Sequence, residues 1–389
     1  MINKSGKLIL SIFLLALVLL KINYLKPAFA INDPLQVPNN KYGIHIVDEN
    51  DLENAATLVN SSNGLWGYVT MVIREDDRNL DKWQAIFNRM KSYKLIPIIR
   101  LATKLTGNYW MKPDESEIQK WSDFLTTLTW PIKNRYVIVF NEPNHAKEWG
   151  GTVNPEEYGR LLIKYSQSLK QKNSDFFILP AGLDASAPNS SVTMDEVNFL
   201  KILLKEHPDV AGYIDGWTSH SYPNPGFRGK ITDSGRGTLQ TFDWELSLLK
   251  DLGIDKFFPV FITETGWPHR EGDQIVNSYY SADEVGNLIA QTAQTIWSDS
   301  RITAITPFLL NYLSEPFSNF SWQVKNEADF YPQFDSYRSI PKHAGRPVIN
   351  DFSIVNKDIT PIIDNKPISK PEVRSNLLSA LLHKLFIVF

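Results

Sequence analysis

Short apolar segments recur along the chain at intervals of about 40 residues. They are 42–47 (YGIHIV), 66–73 (WGYVTMVI), 95–101 (LIPIIRL), 136–140 (YVIVF), 176–181 (FFILPA), 213–219 (YIDGWTS), 258–263 (FPVFIT) and 302–309 (ITAITPFL). Most are continuously apolar rather than alternating, the pattern of parallel strands covered on both faces. Between them the apolar spacing turns helical. Leu80, Trp83, Phe87 and Met90 share one face, as do Ile118, Trp121, Leu125 and Leu128. Asn154-Pro155-Glu156-Glu157 has the form of an N-cap followed by a first-turn proline, and Ser281-Ala282-Asp283-Glu284 that of a capping box. Eight such strand–helix units predict an α/β fold, a (β/α)8 TIM barrel over residues 36–345. A doubly wound sheet is the alternative, but no glycine-rich phosphate loop follows an early strand.

The two ends depart from this pattern. Lys4 and Lys7 precede an apolar run from Leu8 to Leu20, and Ala28-Phe29-Ala30 fits a small-x-small cleavage site. Residues 1–30 are therefore expected to be a signal peptide, or an uncleaved signal anchor because Lys21 and Lys26 follow the run. A secreted or extracytoplasmic location follows, with possible membrane association through this segment. Residues 346–389 are expected to form a short C-terminal extension, a Pro-, Asn- and Lys-rich linker and then an apolar tail from Leu377 to Phe389.

Composition narrows the function. The chain has 389 residues and a net charge of −3. Beyond residue 30 it has 36 basic against 43 acidic residues, a poor basis for neutralising nucleic-acid phosphates. There is no cysteine, which excludes thiol catalysis, disulfides and Cys-ligated metals. Only seven histidines are present, and the first strand carries a single His45 rather than a His-x-His pair, so a metal-dependent barrel hydrolase has little support. His45 itself is expected to be buried and satisfied.

In (β/α)8 enzymes the chemistry sits just past the C-terminal ends of the strands. The fourth strand runs into Asn141-Glu142-Pro143-Asn144-His145 and the seventh into Glu264-Thr265-Gly266-Trp267-Pro268-His269. A lone glutamate at a strand end is usually a solvated loop residue. Two at the lips of strands four and seven are the equipment of glycoside hydrolysis, one carboxyl protonated to donate to the leaving oxygen and one ionised to attack the anomeric carbon.

Asn141-Glu142-Pro143-Asn144 together with Ile262-Thr263-Glu264-Thr265-Gly266-Trp267-Pro268 resembles the motifs of clan A glycoside hydrolases, which are retaining (β/α)8 enzymes. The first motif is similar to that of families 5 and 39, the second to that of family 17. The resemblance implies Glu142 as general acid/base and Glu264 as nucleophile. It also implies Asn141 on the sugar 2-hydroxyl, Arg100 as a bidentate partner holding the nucleophile charged, and His220 and Tyr222 at the lip of strand six. Trp149, Trp267 and Trp322 are expected at the mouth, where flat aromatic faces suit sugar rings. In much of this clan a tryptophan ends strand eight, whereas here that strand runs into Leu309-Leu310-Asn311-Tyr312.

The expected activity is that of a retaining glycosidase acting on an extracytoplasmic polysaccharide or oligosaccharide. Its partner would be a carbohydrate substrate; it would work as a monomer, without cofactor or metal. A transglycosylase using the same two glutamates and a non-catalytic carbohydrate-binding barrel are the alternatives.

Overall fold

The computed structural model describes residues 32–350 except Asn108 and Leu313. The signal or anchor segment, 1–30, and the apolar tail lie outside the described residues. Among those described, no helix is long and apolar enough to cross a membrane.

Each of the eight apolar segments contains a strand. They are β1 (Gly43–His45), β2 (Gly67–Arg74), β3 (Leu95–Ala102), β4 (Arg135–Ile138), β5 (Phe176–Leu179), β6 (Trp217–Ser221), β7 (Val260–Thr265) and β8 (Ile302–Ile305). One helix follows each: α1 (Leu52–Val59), α2 (Leu80–Ser92), α3 (Glu117–Thr127), α4 (Pro155–Lys172), α5 (Glu196–Glu206), α6 (Thr241–Asp251), α7 (Ala282–Gln294) and α8 (Pro332–Ser339). The predicted caps form. Asn154 accepts from the Glu157 amide at 3.1 Å, and Ser281 and Glu284 exchange reciprocal bonds at the start of α7. A short hairpin, 105–106 with 109–110, follows β3 and has no counterpart in the sequence expectations.

The strands form a parallel five-stranded sheet in the order β1 to β5 and a parallel three-stranded sheet of β6, β7 and β8. Continuous ladders do not run round the full circle that was expected. Between β8 and β1 the link is a single bridge, Tyr42 to Ile305, with the Ile305 amide donating to Lys41 O at 2.8 Å and the His45 amide to Pro307 O at 3.1 Å. Between β5 and β6 the Asp215 amide donates to Ile178 O at 2.8 Å, and the Asp215 carboxylate accepts from the Ile178 amide at 2.7 Å. A side chain thus takes a ladder position, which is why β6 begins at Trp217 rather than at the expected Tyr213.

Side chains alternate in two layers. Tyr68, Ile96, Ile98, Tyr136, Ile138, Phe177, Leu179 and Phe261 fill the space enclosed by the strands. Val69, Ile99, Val137, Ile178 and Ile262 face the helices in a larger cluster. Among the inner side chains Thr70 and Thr306 bond each other at 2.9 Å, and toward the C-terminal ends, where polar residues gather, a cavity opens.

Candidate active site

The cavity measures 1410 Å3 and is lined from all sides of the strand ends. Its floor carries Arg100, Asn141, Glu142, His220, Tyr222 and Glu264. Arg100 continues the inward parity of Ile96 and Ile98 on β3. After β4 the chain takes positive φ at Phe140 (70°) and Glu142 (31°), conformations that non-glycine residues rarely adopt. Phe140 turns outward onto Trp149 and Tyr165, and the Glu142 amide is fixed by Gly182 O at 3.1 Å.

On β7 the register against β6 shifts by one residue between Ser219 and His220, so that Ile262 faces Ser219 while Glu264 faces His220. Strict alternation from the inward Phe261 would point Glu264 at the helices. The bulge returns it to the cavity. Gly266, at φ 118°, then turns the chain away from the lip.

The sequence-predicted pair meets. One oxygen of Glu142, one of Glu264 and a ring nitrogen of His220 lie within 4.8 Å of one another. Glu264 accepts from Arg100 Nη1 at 2.9 Å and from Tyr222 Oη at 3.2 Å. The expected bidentate guanidinium is not formed, because the same Nη1 also donates to Asn141 Oδ1 and Nε is buried without a partner. His220 Nδ1 stands 2.8 Å from Glu142 Oε1 and 3.8 Å from Glu264 Oε2. Its ring lies against Gly182, where a Cβ would come within 2.3 Å of Cδ2; only glycine leaves the imidazole room.

Electrostatics follow from this packing. Burial opposes the imidazolium of His220, but the charge of Glu264 and the hydrogen bond to Glu142 overcome it and raise the pKa to about 9. Burial pushes the Glu142 carboxyl up, yet the hydrogen bond and charge of His220 outweigh it and hold the carboxyl below its ordinary value. The proton of this pair therefore rests on the imidazole in the free site. Tyr222 is pushed well above the ordinary tyrosine value, first by burial and then by the two glutamates, so it stays a donor. His45 is buried as expected and held neutral, with a pKa lowered to about 3 by burial and then by Arg100. It lines the cavity and its Nδ1 lacks a partner, so it is not the satisfied histidine expected. Glu142, His220 and Glu264 also have the spacing of a cation site. Arg100 and the protonated His220 already supply positive charge there.

The three tryptophans are not where they were expected. Trp149, Trp267 and Trp322 are 0%, 2% and 2% exposed and do not line the cavity. Trp149 packs on Phe140 and Tyr158 and donates to Glu157, Trp267 donates to Gly229 O, and Trp322 packs edge-on to Tyr337. Loop backbones turn these large rings into the outer core, where burial stabilises more than exposure at a rim would. The aromatic wall is instead built from Tyr222, Phe227, Phe308, Phe317 and Phe320 in edge-to-face contact. Phe308, just past β8 and edge-on to His45, stands where the strand-eight tryptophan was missed.

Three polar residues at or beside the cavity were assigned no role from the sequence. His145 Nε2 is 2.9 Å from Asp184 Oδ2, and Glu148 is buried beside Glu142 with its pKa raised to about 7, by burial first and then by the Glu142 charge. Reading the residues just past β5, as was done for β4 and β7, selects Asp184.

No protein-family model and no curated protein matches the sequence. Among solved structures the chain is similar to a glucosidase from Croceicoccus marinus, at 8% identity and a TM-score of 0.56, over 77% of this chain and 68% of that one. It is similar to a monomeric beta-xylosidase from Caulobacter crescentus, at 12% identity and a TM-score of 0.50, over 78% and 69%. It is also similar to XacCel5A, at 14% identity and a TM-score of 0.50, over 79% and 100%. These likenesses establish that the protein has the fold of glycoside hydrolases.

Proposed function

We propose that the protein is a retaining glycoside hydrolase whose eight strands close as one (β/α)8 barrel, with Glu264 as nucleophile and Glu142 as acid/base. One observation carries this reading: two carboxylates 122 residues apart in sequence meet within 4.8 Å at a cavity floor. Retaining pairs stand about 5–5.5 Å apart, whereas inverting pairs need about 6.5–9.5 Å to admit a water.

Glu264, held by Arg100 and Tyr222, attacks the anomeric carbon. Glu142 takes the proton from His220 across their 2.8 Å bond and passes it to the glycosidic oxygen as that bond breaks. In the second half, Glu142 accepts a proton from water, or from a sugar hydroxyl, as that oxygen attacks the same carbon and releases Glu264. Asn141, fixed by Arg100, faces the sugar hydroxyl next to the reacting carbon. The apolar run at 8–20 supports export and hence an extracytoplasmic glycan.

Proton NMR of the first product released from β-1,3-, β-1,4- and mannan-type oligosaccharides tests the reading. The expected product keeps the anomeric configuration of its substrate, and Glu264→Ala lowers turnover by about four orders of magnitude or more while still binding sugar. An inverted product, or a wild-type protein that binds sugar without turnover, overturns it.

A further inference from the structure

Resting on the glycosidase reading, we propose that His145 and Asp184 form the subsite for the aglycone, the sugar that leaves with the proton from Glu142 or arrives as acceptor. The acid/base must stand beside the glycosidic oxygen, so the wall beyond Glu142 and away from Glu264 is the one the leaving sugar meets. His145 and Asp184 are that wall. Both line the cavity, and their side chains keep 14% and 27% of their surface open. A purely structural pair would not need such exposure.

The pair is held rigidly. Asp184 Oδ2 takes the imidazole at 2.9 Å and Oδ1 accepts from the Ser186 amide at 2.8 Å. Behind it the fully buried Asn144 donates to Asp184 O at 3.0 Å and to Met194 O at 3.2 Å, and accepts from the Asp184 amide at 3.2 Å. The β4 loop is held within itself by the His145 amide on Glu142 O at 2.8 Å, and strapped to the β5 loop by the Ala146 amide on Val192 O at 2.8 Å and the Met194 amide on Asn144 O at 2.9 Å. His145 therefore moves with the acid/base, and an acceptor hydroxyl bound to it is delivered to the carboxylate that must take its proton. Farther out, the exposed Tyr109 and Val192 flank the same loop and offer apolar surface to a second sugar unit. The chemistry recognised is a polyhydroxylated leaving group, a chain rather than a small apolar alcohol.

The test compares 2,4-dinitrophenyl β-glucoside, β-xyloside and β-mannoside with the β-linked trisaccharides of the same sugars, for wild type, His145→Gln and Asp184→Asn. The dinitrophenyl group makes no sugar contacts and leaves with little proton assistance. Each substitution should lower kcat/KM on the trisaccharide about ten-fold or more beyond its effect on the aryl glycoside, and should lower transfer to added sugar acceptors relative to hydrolysis. Equal falls on both substrates, whether or not the unfolding temperature drops, overturn the subsite and leave the glycosidase. A wild-type protein inactive on every substrate overturns the glycosidase reading and the subsite with it.

Discussion

Two pairs of glutamates flank strand β6, one half-buried at the cavity and one fully buried, and they have opposite surroundings. Glu142 and Glu264 lie on its inner face, where His220, Arg100 and Tyr222 supply positive charge and donors. Glu196 and Glu245 lie on its outer face, fully buried under α5 and α6. Glu245 accepts from Trp217 Nε1 at 3.1 Å, while neither oxygen of Glu196 has a donor. Arg236, whose charge acts on Glu196, is taken by Asp195 at 2.6 Å. Burial first, and then each other's proximity, raises Glu196 well above the carboxylate range; burial raises Glu245 to about 7. The same residue type is thus a donor-rich pair at the cavity floor on one face and, with both carboxyls raised, a packing element on the other. Supplied donors and an opening to the cavity on one side, full burial with few donors on the other, separate the two.

Moving His220 would bring the inner pair closest to the outer one. Gly182→Ala puts a methyl group into the imidazole, and kcat should fall about 100-fold, the cost of a misplacement of about 1 Å in the reacting geometry. Unchanged kcat in a folded variant would remove His220 from the proton path.

The outer pair is tested by pH. A carboxyl whose folded pKa is raised contributes stability fully present below its unfolded value and lost as pH rises through the folded one. The wild-type unfolding temperature should therefore fall between about pH 5 and 8, and Glu245→Gln should lessen the loss of stability over that range by about 3 kcal/mol. Glu148, raised to about 7, and Asp51, raised to about 6, keep part of the slope in the variant. A slope identical in variant and wild type would show that the outer pair is ionised like the inner one.

The smallest effect belongs to the aromatic wall. Phe308→Leu keeps the core filled but removes a ring face from the cavity, and KM should rise about 3- to 10-fold, a loss of about 1 kcal/mol, with kcat nearly unchanged. A fall in thermal stability without a change in KM would assign Phe308 to packing alone.

The repeating units and the two strand-end glutamates were legible because strand burial and helix caps are local patterns, and every predicted strand is present. Arg100, Asn141, His220 and Tyr222 were legible through motif likeness, and all four reach the floor. The tryptophans misled because sequence position shows that a loop lies near the mouth but not which way its backbone turns. At Trp267 that turn is made by Gly266.

By itself the sequence determined eight apolar strands, the helices between them, and the acids at two strand ends; each depends on residues within one turn or one pleat. Only the tertiary structure decided that Glu264 faces inward, because that depends on a one-residue register shift against β6. It likewise decided that Asp184 meets His145 and that Glu196 meets Glu245, 39 and 49 residues apart. Protonation states were settled there too, since a carboxyl's pKa depends on donors brought from other strands and not on its neighbours in the chain.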